Sequence, residues 1–156
     1  MGDRAYPAAP RLAVGAIIPR ADRVLLIQRG QAPAAGLWTL PGGGVEVGET
    51  VRAALVREVW EETGLAVTPG PLVEIFEVLE HDAAGGLRYH FVILDFLAEC
   101  SESAPARAAS DAVACAWVRW DEVGGYPLTT GLAGVLAKAR GLAQPGRDAP
   151  GQSPLS

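Results

Sequence analysis

Apolar residues form separate runs along the chain, and most of these runs predict β-strands. The first two, at residues 12–18 and 24–28, alternate little between apolar and polar positions, so we expect both faces of these strands to be covered. A turn-like connection containing Pro19 joins them, and we interpret them as a strand pair. Runs rich in Val, Ile, Phe and Leu predict later strands at residues 72–80, 87–98 and 113–120.

Shorter stretches predict how these strands are connected. Residues 82–86 read DAAGG and predict a hairpin loop, whereas the PGP sequence at residues 69–71 is expected to break the chain. Residues 99–112 contain few large apolar residues and are expected to form a mobile loop. Residues 37–40 predict a short extended piece, in which we expect Trp38 to be a packing residue.

A run without glycine or proline predicts a helix at residues 51–63. Thr50 is a suitable N-cap, and Gly64 lies where a left-handed residue ends a helix. One stripe of the helix is apolar and should face the core, and another side is also apolar. The first stripe contains Val51, Ala54 and Leu55, and the other side contains Ala53, Val56 and Trp60.

The two ends of the chain differ from the middle in composition. A last helix capped by Thr129 or Thr130 is expected to run to about Arg140 and to end at Gly141. Residues 1–10 are expected to be a loose arm, and residues 142–156, rich in glycine, proline, glutamine and serine, a disordered tail. A single domain is therefore predicted at residues 11–141.

Three glutamates of the first predicted helix share one of its faces. At 100° per residue, Glu61 lies about 60° to one side of Glu58 and Glu62 about 40° to the other. Each like-charged pair at this spacing costs roughly 0.2–0.5 kcal/mol, and acids in the last turn oppose the helix dipole. A solvated acidic face is one interpretation, and a bound divalent cation is the other. A carboxylate at the edge of a buried layer favours the cation.

Glycines precede this helix, at Gly42, Gly43 and Gly44 after Pro41. Glycine backbone can turn freely and approach a ligand closely because it has no Cβ atom. We therefore expect this segment to lie against a bound ligand.

Length and charge restrict the classes of function. A chain of 156 residues fits one domain with a real core. The net charge of −5 argues against binding of nucleic acid or of an anionic membrane. A phosphate-bearing substrate would therefore need local cations or a metal ion.

Cysteine and histidine residues give no sign of another site. Cys100 and Cys115 form no metal-binding pattern, and reduced thiols are expected. His81 and His90 are expected to be structural or solvated. No apolar run approaches 18 residues and the N-terminus lacks a secretion signal, so a cytoplasmic location is predicted.

The helix and its glycines resemble a known motif. Gly43 is followed after five residues by Glu49, and after seven more by REVWEETGL at residues 57–65. This arrangement resembles the signature of the Nudix hydrolase family, GX5EX7REUXEEXGU, with every fixed position filled. The flanking segments VLLIQRG, GLWTLPGGG and SDAVACAWVRWDEV are also similar to the family, and the resemblance covers about residues 11–141.

The resemblance implies an α/β fold, namely an α/β/α sandwich with a mixed sheet, which the alternating strand and helix signals allow. It also implies hydrolysis of a nucleoside diphosphate linked to another moiety, with Mg²⁺ or Mn²⁺ as cofactor. Glu58, Glu61 and Glu62 would be metal ligands or their support, with a backbone carbonyl near Gly42 or Gly43.

Other roles implied by the resemblance are less specific. Arg57 and Glu49 would orient the carboxylates, and Arg29 at the end of a strand would bind phosphate or a carboxylate. Arg57 could instead simply neutralise Glu61 four residues later. The family's general base varies, and the candidates here are Glu99, Glu102, Asp111, Glu58 and Glu61.

The substrate is predicted only by similarity. The motif surroundings look like those of small ADP-ribose pyrophosphatases, although Glu80 stands where some of them have proline. Gly44 replaces a lysine that is found in many enzymes cleaving 8-oxo-dGTP. The alternatives are a (d)NTP pyrophosphohydrolase, an inert nucleotide-binding regulator, and an acidic interaction protein. The expected partner is a small nucleotide, and a homodimer is a candidate assembly.

Overall fold

The computed structural model describes residues 4–143, which form two β-sheets and two α-helices. Helix α1 spans Val51–Thr63 and helix α2 spans Leu132–Ala143. The strands are β1 (Arg11–Ile17), β2 (Pro19–Arg20), β3 (Arg23–Arg29), β4 (Trp38–Thr39), β5 (Gly42–Gly44), β6 (Thr68–His81), β7 (Leu87–Glu99) and β8 (Ala112–Arg119).

One sheet is mixed and the other is antiparallel. The mixed sheet has the order β5-β1-β7-β6, with β1 parallel to β7 and the other neighbours antiparallel. In the second sheet, β3 pairs with β2, β4 and β8. Strand β1 is buried from Val14 to Ile17 and β3 from Val24 to Ile27, so both faces are covered there, as the apolar runs predicted. The start of β1 differs, because Leu12 is exposed.

The two helices cover opposite sides of the strands. Ala54, Leu55 and Val59 of α1 share one core cluster with alternate residues of the first strands, such as Ala16 and Leu25. The second cluster joins α2 to the intervening residues; its members include Ile17, Val24, Leu26, Leu132, Val135 and Leu136. The chain is therefore an α/β/α sandwich with a mixed sheet, as the sequence predicted.

The predicted strand pair between the first two runs is wrong. Both edges of β1 are already occupied, by β5 on one side and β7 on the other. The connection Pro19–Arg20 itself becomes β2 and pairs with the start of β3, after a turn in which Ala21 has φ 52°. The two runs consequently lie in different sheets.

Two predicted boundaries also differ from the structure. Strand β6 continues through residues 69–71, because shifts of register between Pro69 and Leu72 and between Leu72 and Glu74 absorb the irregular backbone. Helix α2 passes Gly141 and extends to Ala143. One glycine costs a helix only about 1 kcal/mol, and four buried side chains hold α2 against the sheets.

The ends of the chain are described only in part. Residues 142 and 143 of the predicted tail belong to α2, and residues 144–156 lie outside the described residues, as do residues 1–3 of the predicted arm. From Arg4 to Pro10 the arm has no helix or strand. Neither helix in the described part of the chain is long and apolar enough to cross a membrane.

Candidate active site

Helix α1 has the boundaries that its sequence predicted. The Thr50 side chain accepts a hydrogen bond of 3.1 Å from the Ala53 N–H. Gly64 is left-handed at φ 72°, and its N–H donates to the Trp60 carbonyl. The apolar side with Val56 and Trp60 faces solvent, whereas Glu58 lies at the edge of the core with 9% of its surface exposed.

The glycines before α1 form strand β5 rather than a free loop, and they lie unusually close to their neighbours. A Cβ atom on Gly42 would collide with the backbone carbonyl of Val14, and one on Gly43 would lie 2.5 Å from Oε2 of Glu58. The glycine backbone thus lies closely against strand β1 and against a carboxylate of α1, while its predicted contact with a ligand stays a prediction. Glycine at position 42 allows β5 to pair closely with β1, and glycine at position 43 leaves space for the Glu58 side chain of α1.

Arg57 is the hub that connects the charged residues of the motif. Its Nε donates to Oε2 of Glu49 at 3.1 Å and its Nη2 to Oε1 of Glu49 at 2.7 Å. Its Nη1 donates to Glu58 at 2.9 Å and to Glu61 at 3.3 Å, and its Nη2 also donates to the Gly44 carbonyl at 2.9 Å. One guanidinium thus orients three carboxylates and the end of β5.

This network changes the acidity of its members. The hydrogen bonds from Arg57 are the main reason that the pKa of Glu49 falls to about 2. The same bonds to Glu49 raise the pKa of Arg57. Glu49 is therefore ionised throughout the physiological range and anchors the guanidinium.

The other two buried carboxylates show the opposite behaviour. Burial raises the pKa of Glu58, although Arg57 acts against this rise. Burial also raises the pKa of Glu62 to about 8, while a hydrogen bond from the Gly42 N–H opposes the rise. Glu61 is more open, with 46% of its side chain exposed.

The loop after β7 closes the site from the C-terminal end of α1. The N–H groups of Arg107 and Ala109 donate to the carbonyls of Thr63 and Glu62, both at 2.9 Å, and so satisfy the end of the helix. Arg20 holds the same loop through the carbonyls of Ser101 and Ala104. The loop thereby delivers Asp111 beside Glu62.

A pocket brings most of these groups together. Its lining combines two guanidinium groups, three carboxylates and the glycine backbone. The lining residues are Arg4, Ile27, Arg29, Gln31, Gly42, Gly43, Glu58, Glu62 and Asp111.

The predicted site residues are divided between this pocket and its border. Glu49, Arg57 and Glu61 adjoin the pocket through the Arg57 hydrogen bonds, and Gly44 does so through its carbonyl. Of the three loop candidates for a general base, Asp111 lines the pocket and Glu99 and Glu102 do not.

Arg29 enters the pocket from the end of β3. Its Nε donates to the Pro33 carbonyl at 2.7 Å, a bond that uses neither terminal nitrogen. Burial lowers the pKa of Arg29, and the nearby Arg4 lowers it further. Arg4 and Arg29 both line the pocket.

Sequence reasoning missed Arg4 and Gln31 of the pocket, and also the buried Asp95, which lies outside the pocket lining. Arg4 and Gln31 lie in irregular segments, and no spacing rule relates them to the helix. Asp95 is 5% exposed within β7, and burial raises its pKa to about 7. One acid in the apolar run FVILDFL was a signal that could have identified it.

The donor set fits a hard divalent cation. Within residues 4–143, no three acidic, histidine or cysteine side chains are already arranged as a complete metal site. Arg57 holds one oxygen of Glu58 and one of Glu61, so these carboxylates would have to turn to become ligands. The burial of Glu58 and Glu62 beside each other nevertheless disfavours two negative charges unless a cation compensates them. Carboxylate and carbonyl oxygens are the ligands that Mg²⁺ and Mn²⁺ prefer.

Known proteins share this fold and motif. The family profile of the NUDIX domain matches residues 9–138. An ADP-ribose pyrophosphatase of Methanocaldococcus jannaschii is 41% identical over 88 residues, or 56% of this chain and 52% of that protein. The chain thus spans about half the length of this relative. The phosphatase NudJ of Escherichia coli K12 is 29% identical over 118 residues, 73% of this chain and 71% of that protein.

A solved structure extends the similarity to the whole domain. The MutT NUDIX hydrolase from Burkholderia pseudomallei is 36% identical, with a TM-score of 0.71, over 83% of this chain and 98% of that one. The matched profile also covers most of the chain, including the complete charged motif. The chain therefore belongs to the Nudix family of hydrolases.

Proposed function

We propose that this chain uses Mg²⁺ or Mn²⁺ to hydrolyse the diphosphate linkage of a nucleotide sugar, with ADP-ribose or a close analogue as the preferred substrate. The observation that carries the proposal is the meeting of buried carboxylates and guanidinium groups in one pocket against the glycine strand. Carboxylates suit the metal ion, and guanidinium groups suit the phosphate oxygens.

Each residue has a distinct task in this proposal. Glu58, Glu61 and Glu62 hold the metal, with a carbonyl near Gly42 or Gly43. A cation held there would supply neutralisation of the diphosphate charge and a more acidic attacking water.

The remaining charged residues position the reacting groups. Arg57, anchored by Glu49, sets the orientation of Glu58 and Glu61. Arg29, which lines the same pocket, binds a phosphate oxygen. Asp111 is the general base that accepts the proton from water, because it is the loop candidate that lines the pocket.

The preference for ADP-ribose rests on similarity. The ADP-ribose pyrophosphatase of M. jannaschii is the relative with the highest identity among those described above. The Burkholderia structure is named as a MutT NUDIX hydrolase and not as an ADP-ribose enzyme, and a (d)NTP pyrophosphohydrolase stays the second candidate. A cytoplasmic location belongs to the same proposal, and the free thiols of both cysteines are compatible with a reducing compartment. The homodimer stays a prediction that size-exclusion chromatography can test.

Chromatographic detection of products tests the function. The purified chain is incubated with ADP-ribose, deoxynucleoside triphosphates or dinucleoside polyphosphates, each with Mg²⁺ or Mn²⁺. We expect AMP and ribose 5-phosphate from ADP-ribose at the highest kcat/KM. Turnover that is equally fast in excess chelator would contradict the metal requirement, and a preference for triphosphates would contradict the substrate assignment.

Paired variants distinguish the site from a general charge effect. Glu61→Gln combined with Glu62→Gln should abolish turnover because both ligands lose their charge. Glu46→Gln removes the same type of charge from an exposed residue just before the helix, and its activity should equal that of the wild type. An active double variant would refute the assigned ligands.

A further inference from the structure

The N-terminal arm brings a second arginine into the pocket. Arg4 belongs to a segment without helix or strand, yet it lines the pocket together with Arg29. Its side chain is 27% exposed, so most of it is covered by the surrounding protein. Arg4 lies outside the charged motif, and its position depends on how the arm is attached.

A tyrosine two residues later fastens the arm to the β6–β7 hairpin. The Tyr6 N–H donates to the Arg88 carbonyl at 2.7 Å, and the Tyr6 hydroxyl donates to Oδ2 of Asp82 at 2.8 Å. Asp82 is itself held by N–H groups of its loop, those of Ala84 at 3.0 Å and Gly86 at 2.8 Å. The arm is thus attached to a well-ordered acceptor.

The attachment restricts where Arg4 can lie. Two residues span at most about 7 Å, so a fixed Tyr6 keeps the backbone of Arg4 near the pocket. Tyr6 also has φ 52°, a left-handed conformation that is unfavourable for a bulky residue and is maintained by surrounding contacts. The two hydrogen bonds to the hairpin supply such contacts.

The contacts of Arg4 leave its guanidinium suited to an anion. Its ion pair with Asp111 has an N–O distance of 3.8 Å, which is too long for a hydrogen bond. Glu62 and Asp111 offset part of the repulsion between Arg4 and Arg29 in this pocket, and once a cation holds the carboxylates the two guanidinium groups are available to an anion. Phosphate oxygens match guanidinium geometry and accept two parallel hydrogen bonds from it.

We propose that Arg4 binds a phosphate group of the substrate together with Arg29, and that the Tyr6–Asp82 hydrogen bond holds the arm in the position that allows this. The inference rests on the proposed diphosphate substrate and adds to it a specific binding residue outside the motif. Arg4 therefore acts mainly on substrate affinity, whereas a simple counter-ion of Asp111 would act on the proton-transfer step.

Steady-state kinetics with three variants tests this role. Arg4→Ala should raise KM by about 10- to 100-fold and change kcat by less than about threefold, because a contact equal in ground and transition states affects KM alone. Arg4→Lys keeps the charge but loses the forked arrangement of donors, so its KM should lie between those of the wild type and Arg4→Ala. Arg23→Ala is the matched control, since Arg23 begins the strand that Arg29 ends, about 20 Å away, and its KM should be unchanged.

A double-mutant cycle tests the Tyr6–Asp82 hydrogen bond, which we call the latch. Tyr6→Phe removes only the hydroxyl and should raise KM by about 2- to 10-fold. Added to Arg4→Ala it should cause no further change, because the latch acts through Arg4. Independent, additive effects would overturn the latch, and a fall in kcat with constant KM would overturn phosphate binding by Arg4.

Binding without turnover separates this inference from the proposed function. Calorimetric titration with imidodiphosphate in MgCl₂ should show wild-type binding that Arg4→Ala weakens by about tenfold or more. If Arg4→Ala loses binding but the wild type hydrolyses none of the substrates, the proposed hydrolase function is refuted and phosphate binding by Arg4 is supported. Equal binding by wild type and Arg4→Ala, or no binding by the wild type, would overturn the inference even in an active enzyme.

Discussion

Replacement of Gly43 by alanine should separate activity from stability. A Cβ atom at this position would lie 2.5 Å from Oε2 and 2.7 Å from Oε1 of Glu58. Ordinary contact needs about 3.4 Å or more, so the carboxylate must move by about 1 Å. The backbone of Gly43 lies outside the left-handed region, and alanine is therefore compatible with the strand.

The expected magnitudes follow from what has to move. Glu58 is a flexible side chain and can turn away, so the free energy of unfolding should fall by only about 0–2 kcal/mol, the range of one charged hydrogen bond offset by reduced backbone freedom. A displacement of about 1 Å in a catalytic group can lower the rate by about 100-fold. We therefore expect kcat/KM to fall by about that factor in a protein that is still folded.

The neighbouring glycines supply matched controls. Gly42→Ala drives its Cβ into the Val14 carbonyl, which belongs to the backbone and cannot turn away, so we expect a loss of about 3 kcal/mol or more. Gly44→Ala meets no atom within 4 Å and should leave stability within about 0.5 kcal/mol of the wild type.

Urea denaturation and product chromatography measure the two quantities for each variant. Wild-type activity in Gly43→Ala would refute the requirement that Gly43 leaves space for the Glu58 carboxylate beside β5. If Gly43→Ala loses as much stability as Gly42→Ala, the argument that only the Glu58 side chain has to move is refuted.

Three further substitutions test other parts of the site. Asp111→Asn should lower kcat by about 100-fold or more with little change in KM, since general-base catalysis contributes at least this factor; unchanged kcat would place the base elsewhere. The pKa of Glu49 is depressed to about 2, so its pairing with Arg57 stabilises the fold above the ordinary glutamate pKa and is lost as the pH falls from about 4.5 towards 2. Urea denaturation should therefore show a steeper acid loss in wild type than in Glu49→Gln, and parallel curves would contradict the pairing. The pKa of Asp95 is raised to about 7, so its ionisation destabilises the fold as the pH rises from about 4 through 7. Asp95→Asn should thus be more stable than wild type at pH 8 and similar to it at pH 4, and a variant less stable at pH 8 would show that the carboxylate is needed for packing.

Local signals in the sequence predicted helix α1 to the residue. Thr50 and Gly64 are strong caps, no breaker lies between them, and the apolar stripe with Ala54 and Leu55 matches the buried face. The same run of residues carries the charged motif; of its three predicted ligands, Glu58 and Glu62 line the pocket, whereas Glu61 adjoins it only through Arg57. Local chemistry and tertiary structure agree in this segment.

The errors lie where distant partners decide the structure. The sequence suggests that β1 pairs with β3, the next long strand. Both edges of β1 are instead occupied by strands farther along the chain, β5 and β7. Gly141 predicted the end of α2, but the helix continues past it because Leu136 and Ala139 are buried against the sheets. A local sequence pattern does not show which distant segments compete to pair with a strand or to pack against a helix.

Of the residues that line the pocket, those in the charged motif were the most clearly predicted from the sequence. The motif identified Glu58 and Glu62, whereas Arg4 reaches them through a tyrosine latch on a hairpin about 80 residues away in sequence. Asp111 was one of several loop acids, and only the hydrogen bonds between its loop and the end of α1 distinguish it. Residues placed by a fold, rather than by a helix repeat, leave no periodic signal.

The central claim is that the buried carboxylates of α1 hold a divalent cation beside the diphosphate. Titration of the purified chain with Mn²⁺, followed by electron paramagnetic resonance of the free ion, measures this directly. The account predicts that Mn²⁺ binds the wild type and that Glu62→Gln weakens binding by tenfold or more, while Glu46→Gln does not. Absence of Mn²⁺ binding by the wild type, even with ADP-ribose present, would contradict it.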